Sequence, residues 1–247
     1  MKVTKKITKI TLAVIAGLSM VSANASGLLG DAPEDGSKGN LDFGYVATSG
    51  NTDTTSLNGG FNYVTRISAP FAMGFVVTGL NNATDDVRSA ERYTFAWNNR
   101  YDLSENDFLY GTVDYVNDYF GAYDYQAGIY AGYGRQIFAD DSGHLSLGIA
   151  AGYRINAAFV GEDEKEGVIR SDLDYAYKIS DTAQFTQKLT AIFGEEVDTY
   201  TSESALTAKL SDSLALKVAY LVNHNSVVPV GTDKTDSTTS IGVSYSF

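Results

Sequence analysis

His224 and Ser226 stand two residues apart, so on an extended strand both side chains leave from one face. A histidine beside a serine hydroxyl is the pairing that makes an oxygen nucleophile, provided a third group orients the imidazole. The neighbouring rows of that face offer Thr235, Ser237, Tyr200 and Ser202, with Asp198 at a loop edge. No well-placed Asn or Glu completes a triad, and polar residues at an interface account for the pair adequately. His144 lies at a turn and has no ligand spacing to His224, so no metal or cofactor is expected. Asp140-Asp141 and Glu162-Asp163-Glu164 read as solvated acidic loops, and the glycines at 128, 132 and 134 sit within a strand and do not form a phosphate loop.

The larger reservoir of chemistry is a set of ionisable residues that alternate with apolar ones. Arg66, Arg88, Arg92, Arg100, Arg154, Arg170, Lys188 and Lys217 fall on the polar rows, together with Asp114, Asp118, Asp172 and Asp174. If those rows face a common interior, two readings stay open. The charges line a narrow channel that selects small solutes, or they pair into a plug that fills the space, because unpaired charges in confinement are costly.

The elements that must position these residues are strands. In the last nine residues, Thr239, Ile241, Val243, Tyr245 and Phe247 share one face, and Ser240, Gly242, Ser244 and Ser246 share the other. That is period two, with an apolar row turned outward and a small polar row turned inward, the pattern of a membrane barrel. The same alternation recurs from Leu41 to Ala47, Leu57 to Ile67, Phe71 to Leu80, Tyr93 to Tyr101, Leu109 to Tyr119 and Tyr125 to Tyr133. It continues from Leu145 to Ile155, Ile169 to Tyr177, Phe185 to Phe193, Tyr200 to Leu210 and Leu214 to Val222, with Phe71 to Leu80 the least clearly alternating and Tyr200 to Leu210 of mixed quality. With the closing strand this predicts an all-β, transmembrane, antiparallel up-and-down barrel of about twelve strands. Connections after the even strands are tight (SAP, SEND, ADDSG, SDT, SDS), and most after the odd strands are longer (NNATDDV, FVGEDEKE, GEEVD, VVPVGTD). Short turns inside and longer loops outside is the outer-membrane arrangement. A hairpin turn is expected at Ser49–Asp53.

Residues 1–25 read as a cleavable secretory signal: Lys2, Lys5, Lys6 and Lys9, an apolar stretch from Ile10 to Val21, then Ala23-Asn24-Ala25. Residues 26–38 (from Ser26 through GLLGDAPEDGSK) have no periodicity and read as a short, flexible periplasmic lead, followed by the barrel over 39–247. Removing the signal takes four lysines and no acids, moving the formal charge from −12 to −16. That balance argues against nucleic acid, which needs clustered Lys and Arg. The expected partners are outer-membrane lipids and lipopolysaccharide, and the chain is expected to be a monomer in the cell outer membrane. Seventeen tyrosines, 24 glycines and three prolines suit a strand-rich chain at a membrane interface, and the absence of cysteine rules out disulfides.

Several short motifs carry a family resemblance: Gly50-Asn51-Thr52, Arg92-Tyr93, the run Tyr101 to Tyr125, and Gly132-Tyr133-Gly134 through Gly152-Tyr153-Arg154. Over roughly residues 39–247 the chain resembles the salt-induced, YdiY-like outer-membrane proteins, a family known as a domain of unknown function. The resemblance implies an outer-membrane barrel and no settled activity. Tyr245 and Phe247 at the chain end resemble the terminal signal read by the bacterial barrel-assembly machinery. The His-x-Ser spacing resembles that of outer-membrane phospholipase A and lipid A deacylases. A lipid hydrolase using His224 and Ser226 is therefore the alternative to a non-enzymatic pore or structural barrel.

Overall fold

The computed structural model describes residues 27–48, 54–121, 123–228 and 233–247. The expected signal segment 1–25 and the hairpin turn at 49–53 lie outside the described residues. Twelve strands form one closed antiparallel barrel: β1 (Ser37–Thr48), β2 (Thr54–Ser68), β3 (Phe71–Thr84), β4 (Val87–Asp102), β5 (Asp107–Asp118) and β6 (Tyr125–Asp140). The circuit continues through β7 (Gly143–Ala157), β8 (Glu164–Lys178), β9 (Ala183–Phe193), β10 (Thr199–Lys209), β11 (Leu214–Asn225) and β12 (Thr235–Ser246). Each strand pairs with its sequence neighbours, and β12 returns to β1 through Asn40↔Ser246, Leu41↔Tyr245, Asp42↔Ser244 and Phe43↔Val243. That seam is shorter than the β1–β2 ladder, which runs from Ser37↔Thr65 to Thr48↔Thr54. Closure matters because an open sheet edge in lipid would leave backbone groups without partners.

Burial is inverted relative to a water-soluble protein. Phe43 is 55% exposed and Ile129 60%, whereas Asn98 is 0% and Asp172 2%. The apolar rows face out and the polar rows face in, as the alternation requires. Tyrosines collect toward both rims of the outer wall: Tyr45, Tyr93, Tyr119 and Tyr153 at one end, Tyr101, Tyr133, Tyr177 and Tyr245 at the other. An amphipathic ring is stable where hydrocarbon gives way to water. Between the rims lie apolar pairs such as Phe75 and Trp97, stacked with centroids 6.4 Å apart.

Three local features depart from the sequence reading. The segment 81–87, expected as a loop, is mostly strand. β3 and β4 run to Thr84 and from Val87, joined by Asp85 (φ 49°) and Asp86 (φ 60°). Two consecutive left-handed residues make the tight primed turn that suits the twist of a hairpin, and aspartate tolerates that conformation. In the same hairpin a bulge shifts the register after Asn82↔Ala90, with Ala83 opposite Arg88. An extra residue reverses which face later side chains take. The third departure is the N-terminal lead. Leu28 and Leu29 are buried (0% and 4% exposed), packed inside the barrel.

Candidate functional site: the barrel lumen

The lumen is organised in layers set by the inward residues of each strand. At mid-barrel, β8 places Arg170 and Asp172 two residues apart, so both point inward. Arg170 donates through Nε to Asp172 Oδ2 at 2.8 Å and through Nη2 to Oδ1 at 3.0 Å. Its Nη1 reaches Asp114 on β5 at 3.0 Å. Asp172 also accepts from Tyr110 at 3.1 Å and Thr190 at 2.7 Å, so its carboxylate is held by three strands. The guanidinium lies 4.8 Å from the centre of the Tyr130 ring.

Toward the end that carries the longer loops, Arg154 on β7 donates to Glu166 at 2.6 Å and to Thr199 at 2.9 Å. Arg92 on β4 faces Asp118 on β5 at 3.8 Å, the loosest of these pairs. Arg154, Thr199, Arg92 and Asp118 line a cavity with Asp233, Asp236, Tyr123 and Asn223 that has room for water over about 80 Å³.

At the end that holds both strand termini, Lys217 on β11 lies 3.4 Å from Asp42 on β1 and 3.5 Å from Glu203 on β10. Lys188, Asp174, Asp42 and Lys217 line a second cavity there, beside Leu29 and Phe247. Asp174 is 3.3 Å from the His144 ring nitrogen. Arg66 bonds Asp102 at 2.5 Å, and Arg100 bonds Asp102 at 2.6 Å and Gln136 at 2.9 Å.

Of the ionisable residues read as inward from the sequence, eleven line or border these layers, and one does not. Arg88 lies at the rim with its side chain 58% exposed, paired to Glu91, which in turn accepts from the outward Tyr93 at 3.0 Å. The bulge beside it is the reason, because one inserted residue carries Arg88 to the other face.

The structure separates His224 from Ser226 chemically. The His224 ring sits 2.7 Å from Thr235 Oγ1 and packs against Tyr200, while Ser226 Oγ accepts from the Asp198 backbone N–H at 2.8 Å. Among the described residues no hydrogen bond joins the two, so the serine staples a loop instead of receiving help from the histidine. Among the described residues no group of three or more His, Asp or Glu side chains is arranged to hold a metal ion.

One part of the lumen is apolar. Leu28, Phe108, Tyr110, Tyr130, Ala150, Val168 and Ile192 form an apolar cluster inside the barrel. The signal was present: Phe108, Tyr110, Tyr130, Val168 and Ile192 are even-numbered apolar residues that interrupt the polar rows.

This closed, charge-lined barrel has counterparts among known proteins. The family described as "Protein of unknown function, DUF481" matches residues 41–247. The chain belongs to this family. A relative from Escherichia coli (strain K12), "Uncharacterized protein YdiY", is 31% identical over the full length of both chains. Among solved structures, the COG4313 outer membrane channel from Pseudomonas putida F1 matches with a TM-score of 0.53 at 12% identity, covering 87% of this chain and 96% of that one. The NanC porin matches with a TM-score of 0.52 at 14% identity, covering 83% and 98%. At such identities the likeness is one of fold. For this DUF481 member that fold is the closed outer-membrane barrel, the fold expected from the alternation of its residues.

Proposed function

We propose that this protein is a non-enzymatic, narrow channel for small solutes or ions in the outer membrane, delivered there by a cleaved N-terminal signal. The observation that carries the reading is the layout of the lumen. A charged cavity opens at each end, lined at one by Arg92, Asp118 and Asp236 and at the other by Lys188, Asp42 and Lys217. Between them lies the mid-barrel layer of Arg170, Asp172 and Asp114. Barrels of about eight strands are filled by their own side chains and those of about sixteen hold open water, so twelve strands leave room for a constricted path. Carboxylates and guanidiniums spaced along such a path select by charge.

A second reading, a structural barrel that never conducts, is favoured by one observation: Arg170 and Asp172 are nearly fully buried and mutually satisfied, as in a packed core. Recording in planar bilayers separates the two. The channel reading expects brief discrete openings from the full-length mature chain, with amplitudes changed by Arg92→Gln or Asp118→Asn. Permanent silence would favour the structural barrel.

A further inference from the structure

The inner wall of the barrel holds a socket for the chain's own N-terminal segment. We propose that residues 27–36 are a detachable plug that keeps the lumen shut from the end carrying both strand termini, and that conduction requires them to leave. The proposal rests on the channel reading above and specifies how that channel is regulated.

The fit is built from both sides. Leu28 enters the apolar cluster formed by Phe108, Tyr110 and Val168. The wall is glycine where Leu28 and Leu29 press against it. A Cβ at Gly148 would lie 2.4 Å from Leu28 Cδ2, and one at Gly74 would lie 2.9 Å from Leu29 Cδ2. Within the segment, Gly30 lies so close to the wall that a Cβ there would stand 2.9 Å from His144 Cδ2 and 3.1 Å from Ser146 Oγ. Two guanidiniums hold the segment by its main chain. Arg100 Nη1 donates to the carbonyls of Leu28 and Leu29, each at 3.4 Å, and Arg66 Nε donates to that of Pro33 at 2.9 Å. Leu29 adopts φ 47°, a conformation that L-residues other than Gly, Asn and Asp seldom take unless their surroundings impose it.

The attachment is also of a kind that can come undone. Among the described residues, one main-chain hydrogen bond joins the segment to the wall, from Arg66 N to Gly36 O at 2.9 Å. Every barrel strand is held by ladders on two sides, and this segment by none. Its departure would therefore cost side-chain contacts and leave the barrel's own hydrogen bonds intact. It would also release the guanidinium donors of Arg66 and Arg100 that bind the segment's carbonyls, both still paired to Asp102, and would remove the Asp31 carboxylate from a mouth that carries Lys188 and Lys217.

The chain has no cysteine, so a single engineered pair reports seating without interference. With His144→Ala clearing the ring that a Cβ at position 30 would meet at 2.9 Å, Gly30→Cys and Ser146→Cys place a Cβ 3.1 Å from the facing side-chain atom, close enough for a disulfide, and Ser146 Oγ makes no hydrogen bond among the described residues that the change would break. We expect this pair to oxidise in the folded, detergent-purified barrel, seen as a gel-mobility difference that reductant reverses. In planar bilayers the oxidised variant should stay shut, the reduced variant should match the original chain, and a chain lacking residues 27–36 should be open at least about tenfold more of the time. Failure of the pair to oxidise in a folded barrel would overturn the plug and leave the channel reading standing. Oxidised, reduced and deleted forms that conduct alike would also overturn the plug while supporting a channel. Complete oxidation with silence from every form, the deletion included, would overturn the plug as a gate because the channel reading itself had failed.

Discussion

Arg170 and Asp172 leave the same strand two residues apart and close a two-pronged ion pair at 2.8 and 3.0 Å in the middle of the barrel. The period of a strand makes this possible, since i and i+2 share a face and the lumen wall supplies the remaining partners from β5 and β9. A buried pair of this kind gives geometric definition more than net stability, and removing one member leaves the other without compensation.

Asp172→Leu alone should therefore destabilise the barrel by about 3–5 kcal/mol, because Arg170 is left buried and short of acceptors. The double change Arg170→Met/Asp172→Leu should cost clearly less than the sum of the two single changes. Denaturant unfolding of the detergent-solubilised barrel, followed by the loss of its folded gel mobility, measures this. Strictly additive costs would show that the pair is not coupled.

Gly148→Val should expel the N-terminal segment without unfolding the wall, because the new side chain occupies the space of Leu28 and of the Tyr110 ring. Limited proteolysis reads the result. A protease should trim residues 27–36 from the variant and spare them in the original chain, with the barrel intact in both. Equal protection would mean that the wall tolerates a side chain there.

Asp31 gives the seated segment a pH dependence. Burial disfavours its charge, but the ammonium groups of Lys38 and Lys188 outweigh that and bring the carboxyl down to about 2 from 3.8. A depressed folded value contributes stability that is fully present above the unfolded value and lost as pH falls through the folded one. The segment should therefore keep its protection from neutral pH down to about 4 and lose part of it between about 4 and 2. With 47% of the Asp31 side chain still exposed, lumen water screens the effect, and a modest change is expected. Acid-stable proteolysis across that range checks it, and Asp31→Asn should flatten the profile.

Ser226→Ala should leave phospholipid turnover at background, as in the original chain, since the Ser226 hydroxyl serves the Asp198 amide. The expected loss is about 1 kcal/mol of local stability from one hydrogen bond. Phospholipid hydrolysis by the original chain that Ser226→Ala abolishes would restore the lipid hydrolase.

How far the residues announced this architecture differs from place to place. The strands were legible because their period is two and their outer row is continuous, so even the mixed β10 falls into line once its inward Thr201, Glu203 and Ala205 are seen buried together. The Asp85-Asp86 turn was not, since a polar run of seven looks like a loop until the ladder is traced through it. The face of Arg88 is illegible for a related reason: a bulge carries no mark in composition yet reverses the face of the residues beyond it. The seating of the lead is not legible, because an aperiodic segment has no element of its own. Its partners did leave a trace, in the apolar residues of the inward rows and in the glycines at 74, 134 and 148, whose meaning depends on the side chains that pack against them.

Single-channel recording from the purified mature barrel, in a planar bilayer under a salt gradient, tests the gated channel most directly. Discrete openings are predicted, more frequent when residues 27–36 are removed, with a reversal potential that moves when Asp118→Asn or Arg92→Gln changes the charge at the end with the longer loops. Silence at every voltage from both the full-length mature chain and the chain lacking residues 27–36 would contradict it.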